Sequence, residues 1–339
     1  MTSFSPIRIG ILGAAAIVPM ALTNPARTVR EAQVLAIAAR DPKRAYTFAK
    51  RHNIPRVHQT YAALLADPDI DAIYNPLPNS LHAEWTIRAL KAGKHVLCEK
   101  PIASNAAEAE EMAKAARETG LVLSEAFAYR YFPLTERVKQ IMKSGELGNV
   151  QHIDAQFCFL LPAPNNIRFN YDLAGGALMD CGCYPVSLIR YLADAEPTVE
   201  TAEARLFAPQ VDHNMTADLS FADGRTAHLE CGMLSPKLFR SVLHVKGDAG
   251  TLRVISPFQP HVFNLLTVHG KSGTIRERVR GENSYTLQLR AFMQAIRDWG
   301  KKIVIILNKA DLLDEAGLAE VDRFIRDHTA RLLGFSAEV

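Results

Sequence analysis

The chain has 339 residues, 48% of them hydrophobic, and its 39 basic against 36 acidic residues give a formal net charge of +3. This length suits one large or two ordinary domains with a sizeable core. The near balance of charge argues against a nucleic-acid-binding protein or an acidic solvating arm, so we expect small metabolites as partners.

The sequence also argues against membrane insertion and secretion. No run of about 18 apolar residues occurs, and the start "MTSFSPIRIGILG" lacks a basic region followed by an apolar segment. The five cysteines are an odd number in a long chain, which favours a reducing cytoplasm over a disulfide framework. Cys181 and Cys183 are one residue apart without a nearby histidine pair, so we predict no metal.

Residues 1–125 alternate short apolar runs with amphipathic stretches. Such alternation predicts parallel strands joined by helical crossovers, and therefore an α/β domain with a doubly wound parallel sheet. The predicted strands are 7–12, 34–39, 72–74, 95–98 and 121–124, and the predicted helices are 42–52, 80–92 and 105–119.

The pattern changes near residue 145, where strands begin to follow one another with one clear helix, at 176–192. Such a succession predicts an α+β domain with a mostly antiparallel sheet and helices on one face. We divide the chain into residues 1–125, 126–300 and a strand–helix tail, 301–339. The predicted strands of the second domain are 150–159, 201–208, 213–221, 226–231, 241–246 and 251–254.

The first strand runs into a turn of small residues, "GILGAAAIVP". The dinucleotide-binding pattern G-x-G-x-x-G would begin at Gly13 and gives Ala15 and Val18 at its other two positions. Small residues let backbone N–H groups approach a pyrophosphate. We take Gly13, Ala15 and Ile17 as candidate cofactor-binding residues, with a plain strand–helix corner as the alternative.

The second strand ends in "AIAARDPKRA". An NAD site usually has an acid at this position for the ribose hydroxyls. Here Arg40 follows the strand, and a guanidinium is a good partner for a 2′-phosphate. Lys43 or Arg44 would add charge. We therefore predict NADP as cofactor, with NAD as the alternative; a solvated arginine at a helix start is the plainer interpretation.

An acid, a base and a proline follow the strand in "HVLCEKPIAS". The carboxyl end of a strand in an open α/β sheet is where ligands bind. The Lys100 ammonium would stabilise a developing alkoxide there. Glu99 would hold the lysine, and Pro101 would fix the backbone. The alternative is an exposed ion pair at a helix start.

The stretch "GGALMDCGCYP" carries the second candidate group. Asp180 and Tyr184 are four residues apart and would share one helix face. Together they could orient a sugar-like substrate and transfer a proton, and a nearby cation would lower the pKa of the tyrosine. Gly175 and Gly176 would allow close backbone approach. The alternative is an amphipathic helix with a polar rim.

Taken together, these motifs resemble the glucose–fructose oxidoreductase and inositol dehydrogenase (Gfo/Idh/MocA) family. The resemblance runs from about Ile7 to about Asp298 and is strongest to the dimeric dihydrodiol dehydrogenase and NADP-dependent D-xylose dehydrogenase branch, because Tyr184 stands where inositol dehydrogenase has histidine. It depends on "GILGAAAI", "AARDPKRA", "YNPLPNSLHAEW", "GKHVLCEKP", "YRYFP", "SGELGNV" and "GGALMDCGCYP".

The resemblance implies a Rossmann domain followed by a domain with an open sheet, through which the chain forms a homodimer or homotetramer. It implies that Lys100 is the catalytic lysine, Tyr184 the acid–base residue and Asp180 a substrate orienter. The remaining residues that it assigns are Pro78, Asn79 and His82 beside the cofactor, together with Glu99, Lys100 and Pro101, and Arg168 beside the substrate. By itself, His82 would more often be a capped histidine at a helix start.

The expected function is hydride transfer between NADP(H) and a secondary alcohol or ketone of a sugar, sugar derivative or cyclic diol. The alternatives are a sugar-nucleotide 3-ketoreductase and a non-catalytic cofactor-binding protein. The tail departs from the family: "NKAD" and the strand–helix pattern of 303–339 resemble a GTPase fragment, but the chain has no phosphate-binding G-x-x-x-x-G-K-[ST] loop.

Overall fold

The structure is a computed structural model that describes residues 5–163 and 165–299. The predicted tail, 301–339, and its GTPase-like "NKAD" motif lie outside the described residues. The helices and strands below are numbered in chain order.

A six-stranded sheet in the order β3-β2-β1-β4-β5-β6, with every neighbouring pair parallel, forms the N-terminal part. Its central strands are short apolar runs because helices cover both faces of such a sheet. This confirms the predicted doubly wound sheet. Its strands are Ile7–Leu12 (β1), Ala32–Ala38 (β2), Arg56–His58 (β3), Ala72–Asn75 (β4), His95–Cys98 (β5) and Leu123–Glu125 (β6). Its helices are Asn24–Ala26 (α1), Pro42–His52 (α2), Tyr61–Leu65 (α3), His82–Lys91 (α4) and Ala106–Thr119 (α5).

The register of the central strands brings three sequence motifs to one edge of this sheet. Ile11 of β1 lies beside Tyr74 of β4, and Asn75 at the end of β4 lies beside Cys98 at the end of β5. The glycine turn, the "NPLPNSLH" loop and the "EKP" loop therefore leave the sheet side by side at its carboxyl edge, where open α/β sheets bind ligands.

An eight-stranded sheet in the order β14-β13-β12-β11-β7-β10-β9-β8 follows, antiparallel except for the β7–β10 pair. Ile153, Ala155 and Phe157 alternate along the strand Val150–Leu160 into the core, where the helix Cys183–Ala193 packs against the sheet. Its strands are Val150–Leu160 (β7), Thr198–Ala208 (β8), Val211–Ser220 (β9), Thr226–Gly232 (β10), Leu234–Gly247 (β11), Thr251–Ile255 (β12), Leu265–Gly270 (β13) and Gly273–Glu277 (β14). The helices are Pro133–Lys143 (α6), Cys183–Ala193 (α7) and Ser284–Trp299 (α8).

The predicted continuous helix at 176–192 was wrong in its first part. The chain forms a π-helical turn, Leu178–Gly182, before α7 begins at Cys183. Close packing accompanies this turn: a Cβ on Gly182 would stand 2.7 Å from the Cys231 sulfur of β10. A similar π-helical turn, Pro19–Thr23, precedes α1.

By its internal contacts the chain divides between Met293 and Gln294, and both sheets lie in the first of these two units. The predicted boundary near residue 125 stays a prediction. Among the residues that the structure describes, none of the helices combines the length and the apolar character that crossing a membrane requires.

Candidate active site

The turn after β1 contains a backbone conformation that favours glycine. Gly13 has φ +94°, and a Cβ there would stand 3.1 Å from the Leu77 Cδ2 atom. The Arg44 guanidinium donates a hydrogen bond of 3.0 Å to the Ala14 carbonyl and so ties the turn to α2. Ala15 and Ile17 are half-buried. The turn thus exposes backbone and small side chains, which a pyrophosphate-binding site requires.

The end of β2 has a basic surface. Ala39 is buried and Arg40 exposed, while the Asp41 carboxylate accepts the Lys43 N–H at 2.9 Å as the N-cap of α2. The acid nearest to the end of β2, Asp41, is therefore engaged in capping α2. Burial raises the pKa of Tyr61, opposed by Arg40 and Arg44, which lie close to its hydroxyl.

Lys100 lies at the centre of the site, two residues beyond the end of β5. Its Nζ donates a 2.8 Å hydrogen bond to the Asp180 carbonyl and lies 3.5 Å from the Asp180 Oδ1 atom. The same Nζ lies 5.1 Å from the centroid of the Tyr184 ring. The side chains of Lys100 and Asp180 are only 14% and 15% exposed. The structure thus brings together Lys100, Asp180 and Tyr184, as the sequence predicts.

Arg168 joins this group through the loop that precedes the π-helical turn. Its Nε lies 2.8 Å from the Asp180 Oδ2 atom. Two glycines allow that approach. A Cβ on Gly175 would stand 2.4 Å from the Arg168 carbonyl oxygen. Gly176 has φ +123°, and a Cβ there would collide with the Asp212 Oδ1 atom. The other Asp212 oxygen accepts the Leu178 N–H at 2.8 Å, so the turn that carries Asp180 is held to β9.

Both members of the central ion pair are charged. Burial acts to lower the pKa of Lys100, but the Asp180 carboxylate raises it well above its usual value. Burial acts to raise the pKa of Asp180, but Lys100 and Arg168 hold it below its usual value. The site therefore holds an ammonium and a carboxylate whose opposite charges stabilise each other away from bulk water.

Tyr184 behaves differently from the sequence expectation. Burial raises its pKa well above the usual value, although Lys100 opposes the shift. The cause is an aromatic enclosure, because Phe127, Phe157 and Phe258 have ring centroids 5.5, 5.4 and 5.5 Å from that of Tyr184. The expected lowering was wrong for this state of the protein: Tyr184 is a neutral phenol.

Sequence reasoning missed two tyrosines that surround Glu99. The Tyr74 hydroxyl donates a 2.6 Å hydrogen bond to the Glu99 Oε1 atom. Tyr285, in the first turn of α8, has its pKa raised to about 12 by burial and by Glu99. Burial also raises the pKa of Glu99, while the Tyr74 hydroxyl and Lys100 oppose the shift. The sequence did contain a signal for Tyr74. This residue ends the predicted strand 72–74, and Glu99 follows the predicted strand 95–98, so the two residues would lie at the same edge of a parallel sheet.

The remaining predicted cofactor residues lie in the loop after β4. Pro78 and Asn79 are half-buried, and the Asn79 amide donates a 2.8 Å hydrogen bond to the Ala174 carbonyl, which links this loop to the Arg168 loop. His82 is fully buried, with its ring directed at the carbonyls of Leu77 and Pro101. Its side chain therefore faces the protein interior rather than the ligand edge.

Comparison with known proteins agrees with this geometry. Residues 7–127 match the family model of oxidoreductases with an NAD-binding Rossmann fold, and residues 135–253 match the Gfo/Idh/MocA C-terminal domain. The chain belongs to the Gfo/Idh/MocA family. The predicted family and its oxidoreductase class are confirmed, and both matches end before the GTPase-like tail, a resemblance that stays a prediction.

Several members of the Gfo/Idh/MocA family are similar over most of the chain. An NADP(+)-dependent D-xylose 1-dehydrogenase from Haloferax volcanii is 37% identical over 290 residues, 85% of this chain and 88% of that protein. A trans-1,2-dihydrobenzene-1,2-diol dehydrogenase from Xenopus tropicalis is 37% identical over 60% of this chain and 62% of its own length. KijD10, a 3-ketoreductase from Actinomadura kijaniata solved with NADP and TDP-benzene, has a TM-score of 0.83 at 31% identity, covering 88% of this chain and 92% of its own.

We predict that Asp180→Asn destabilises the protein by about 3–5 kcal/mol at neutral pH, because it leaves the buried Lys100 ammonium without its counter-charge. The pKa of Asp180 in the folded protein lies below its ordinary value of 3.8. Its contribution is therefore present above that value and is lost as the pH falls through the folded-state pKa. Urea unfolding of both proteins at several pH values measures this.

The control is Glu196→Gln, which removes an ion pair with Arg190 whose glutamate side chain is 74% exposed. Its cost should stay within about 1 kcal/mol. An Asp180→Asn protein as stable as this control would contradict the buried ion pair.

Proposed function

We propose that the protein is an NADP-dependent oxidoreductase that transfers a hydride between NADP(H) and a secondary alcohol or ketone of a sugar, sugar derivative or cyclic diol. One observation carries the proposal. An ammonium, Lys100, and a neutral phenol, Tyr184, lie together at the ligand-binding edge of a Rossmann sheet, with Asp180 beside them.

The residues present fit a dinucleotide. Gly13 leaves no Cβ in the turn, Ala15 and Ile17 follow it, and Arg40 is exposed at the end of β2, where it would bind a 2′-phosphate. Pro78 would border the nicotinamide end. A bound nicotinamide ring supplies or accepts the hydride.

The proton chemistry belongs to the side chains of this chain. The Lys100 ammonium and the Tyr184 hydroxyl are two donors that would polarise a substrate carbonyl oxygen, and the phenol would deliver its proton to that oxygen. Asp180 accepts hydrogen bonds and would orient a neighbouring substrate hydroxyl. Arg168, whose side chain is 43% exposed, would border the substrate.

Two rival functions remain. Similarity to KijD10 favours a sugar-nucleotide 3-ketoreductase, in which the same donors would act on a 3-keto group. The other rival is a cofactor-binding protein without turnover, because a fold by itself does not imply a function. A screen of free sugars, cyclic diols and sugar nucleotides with NADP(H) separates the three.

We predict that Lys100→Ala abolishes most turnover and leaves NADPH affinity within a few-fold, because the ammonium acts on the reacting oxygen. Losing one electrostatic donor of this kind typically costs about 10²–10³ in kcat. Initial rates with the best substrate of the screen measure this, together with NADPH fluorescence titration. Lys91→Ala, on the exposed side of α4, is the control. Full turnover in Lys100→Ala would refute the mechanism.

We predict that Arg40→Gln weakens NADPH binding by about 10–100-fold and leaves NADH binding nearly unchanged. The reason is that hydrogen bonds to a charged group contribute about 1.5–3 kcal/mol. Fluorescence titration with both cofactors measures this, with Lys50→Gln near the end of α2 as control. Equal loss for both cofactors, or wild-type protein that prefers NADH, would refute the assignment of Arg40.

We also infer that the chain forms a homodimer or homotetramer through the face of the eight-stranded sheet that lies opposite α7. This face is polar: Asp154 of β7 lies in register between His228 of β10 and His244 of β11. Light scattering should give a dimer or tetramer mass, and His228→Glu should dissociate it by placing like charges beside Asp154 and Asp218. Glu111→Lys on α5 is the control, and a monomeric wild-type protein would refute the inference.

We infer a cytoplasmic location. Support comes from the odd number of cysteines in a long chain, which is more usual in a reducing compartment than in a disulfide framework. Recovery of the protein from a secreted or periplasmic fraction of the source cells would contradict this location.

A further inference from the structure

His82 is held between two backbone carbonyl groups from different loops. Its Nδ1 lies 2.8 Å from the Pro101 carbonyl oxygen, and its Nε2 lies 2.8 Å from the Leu77 carbonyl oxygen. The residue is 0% exposed, so no bulk water can take the place of either acceptor. Pro101 follows Lys100 directly, and Leu77 precedes the predicted cofactor residue Pro78. The ring thus joins the two loops that meet at the site.

The chemistry of the two partners sets the protonation of the ring. A carbonyl oxygen only accepts hydrogen bonds, and a neutral imidazole has a single N–H. In the neutral ring, one nitrogen lone pair would therefore face a carbonyl oxygen at hydrogen-bond distance without a proton between them. Only the imidazolium, with two N–H donors, forms both bonds.

The main chain around the ring is itself fixed, so the carbonyls cannot easily turn away. The Asn75 amide donates to the His82 carbonyl at 3.2 Å and to the Thr86 hydroxyl at 3.1 Å, and its oxygen lies 3.3 Å from the Leu77 nitrogen as acceptor. On the other side, Glu125 accepts the Ile102 N–H at 2.9 Å. Both acceptors of the histidine ring thus belong to anchored loops.

The electrostatic surroundings determine when the second proton is held. Burial lowers the pKa of His82 below its ordinary value of 6.5, whereas the Pro101 and Leu77 carbonyls act to raise it. Of the charged groups that face it, Lys100 of the neighbouring loop lowers the pKa and Glu108 of α5 raises it. The bridge is complete below the pKa of His82 and loses one bond as the pH rises through it.

We propose that His82 is a positioning residue: as an imidazolium it donates to both carbonyls, and so couples the cofactor loop to the loop that carries Lys100. This rests on the proposed function for its effect on turnover, but the hydrogen-bonding claim itself does not. The consequence is a site that becomes more tightly organised as the pH falls through the pKa of this histidine.

The direct test is an NMR titration of the wild-type protein labelled with ¹⁵N-histidine, with the His82 signals assigned by their loss in His82→Gln. We expect both ring nitrogens to carry protons at mildly acidic pH, and one to lose its proton as the pH rises. A ring that stays neutral down to pH about 5, well below the ordinary histidine value, would overturn the proposal. This measurement needs neither substrate nor turnover.

The functional test compares NADPH affinity and kcat/KM of the wild type and His82→Gln between about pH 5 and 8, which brackets the ordinary histidine pKa. The glutamine amide does not titrate and donates from one nitrogen only. At acidic pH we expect both NADPH affinity and kcat/KM to be about tenfold lower in the variant, which is the loss expected for one hydrogen bond to a charged group. This difference should shrink as the wild-type ring loses its second proton at higher pH. The 2′-phosphate of NADPH titrates in the same pH range. Its effect appears in both proteins, so the profile of the variant serves as the baseline for it.

The matched control is His95→Gln, another buried histidine, whose Nδ1 accepts the Val122 N–H at 3.1 Å and which is therefore not an imidazolium bridge. It should lose stability without changing the pH profile. A His82→Gln profile parallel to the wild type would overturn the positioning role. Failure of the wild type to bind either cofactor would instead refute the proposed function and leave the NMR result standing.

Discussion

The buried ammonium of Lys100 is the constraint on which the rest of the site depends. A lysine charge that is largely removed from water is costly unless an opposite charge and hydrogen-bond acceptors meet it. Asp180 supplies both, with its carboxylate 3.5 Å away and its carbonyl accepting a hydrogen bond of 2.8 Å, although the two residues are 80 positions apart in the chain. The second half of the chain must therefore fold so that its π-helical turn comes to the carboxyl edge of the first sheet.

Two glycines and one aspartate make that approach possible. Gly175 lets the Arg168 loop fold back on itself, and Gly176 leaves room for the Asp212 carboxylate, which holds the start of the turn to β9. The Asn79 amide then links the loop after β4 to the same region through the Ala174 carbonyl. As a result, the groups expected to contact the cofactor and those expected to contact the substrate are positioned by one connected set of hydrogen bonds.

Local signals explain what the sequence could predict. The bounds of α2 were predicted correctly because Asp41 caps its start, Pro42 occupies the first turn and Asn53, with φ 56°, ends it. Strand β5 was predicted correctly because its three apolar residues, Val96 to Cys98, are followed directly by an acid and a base. By contrast, β3 and α3 are too short to give a period, and α6 was overlooked although Pro133 marks its start.

The properties of the site that sequence missed are all long-range. The pKa of Tyr184 depends on three aromatic rings that lie on separate segments of the chain, and no spacing around residue 184 records them. The partner of Glu99 is Tyr74, one strand away. The identity of Lys100 and Tyr184 as candidates follows from their motifs, whereas their protonation states follow only from packing.

Those protonation states give the resting site a direction. Its available protons lie on Lys100 and Tyr184, while Asp180 is an ion-paired carboxylate. In the proposed function, reduction of a ketone would begin from this arrangement, because both proposed donors already carry their protons. Oxidation of an alcohol would need the phenol to be ionised first, so that the phenolate can accept the proton, and the raised pKa of Tyr184 opposes that ionisation. A closer approach of the Lys100 ammonium, which hydrogen-bonds to the Asp180 carbonyl, to the phenol oxygen would favour that ionisation, because a nearby positive charge stabilises a phenolate.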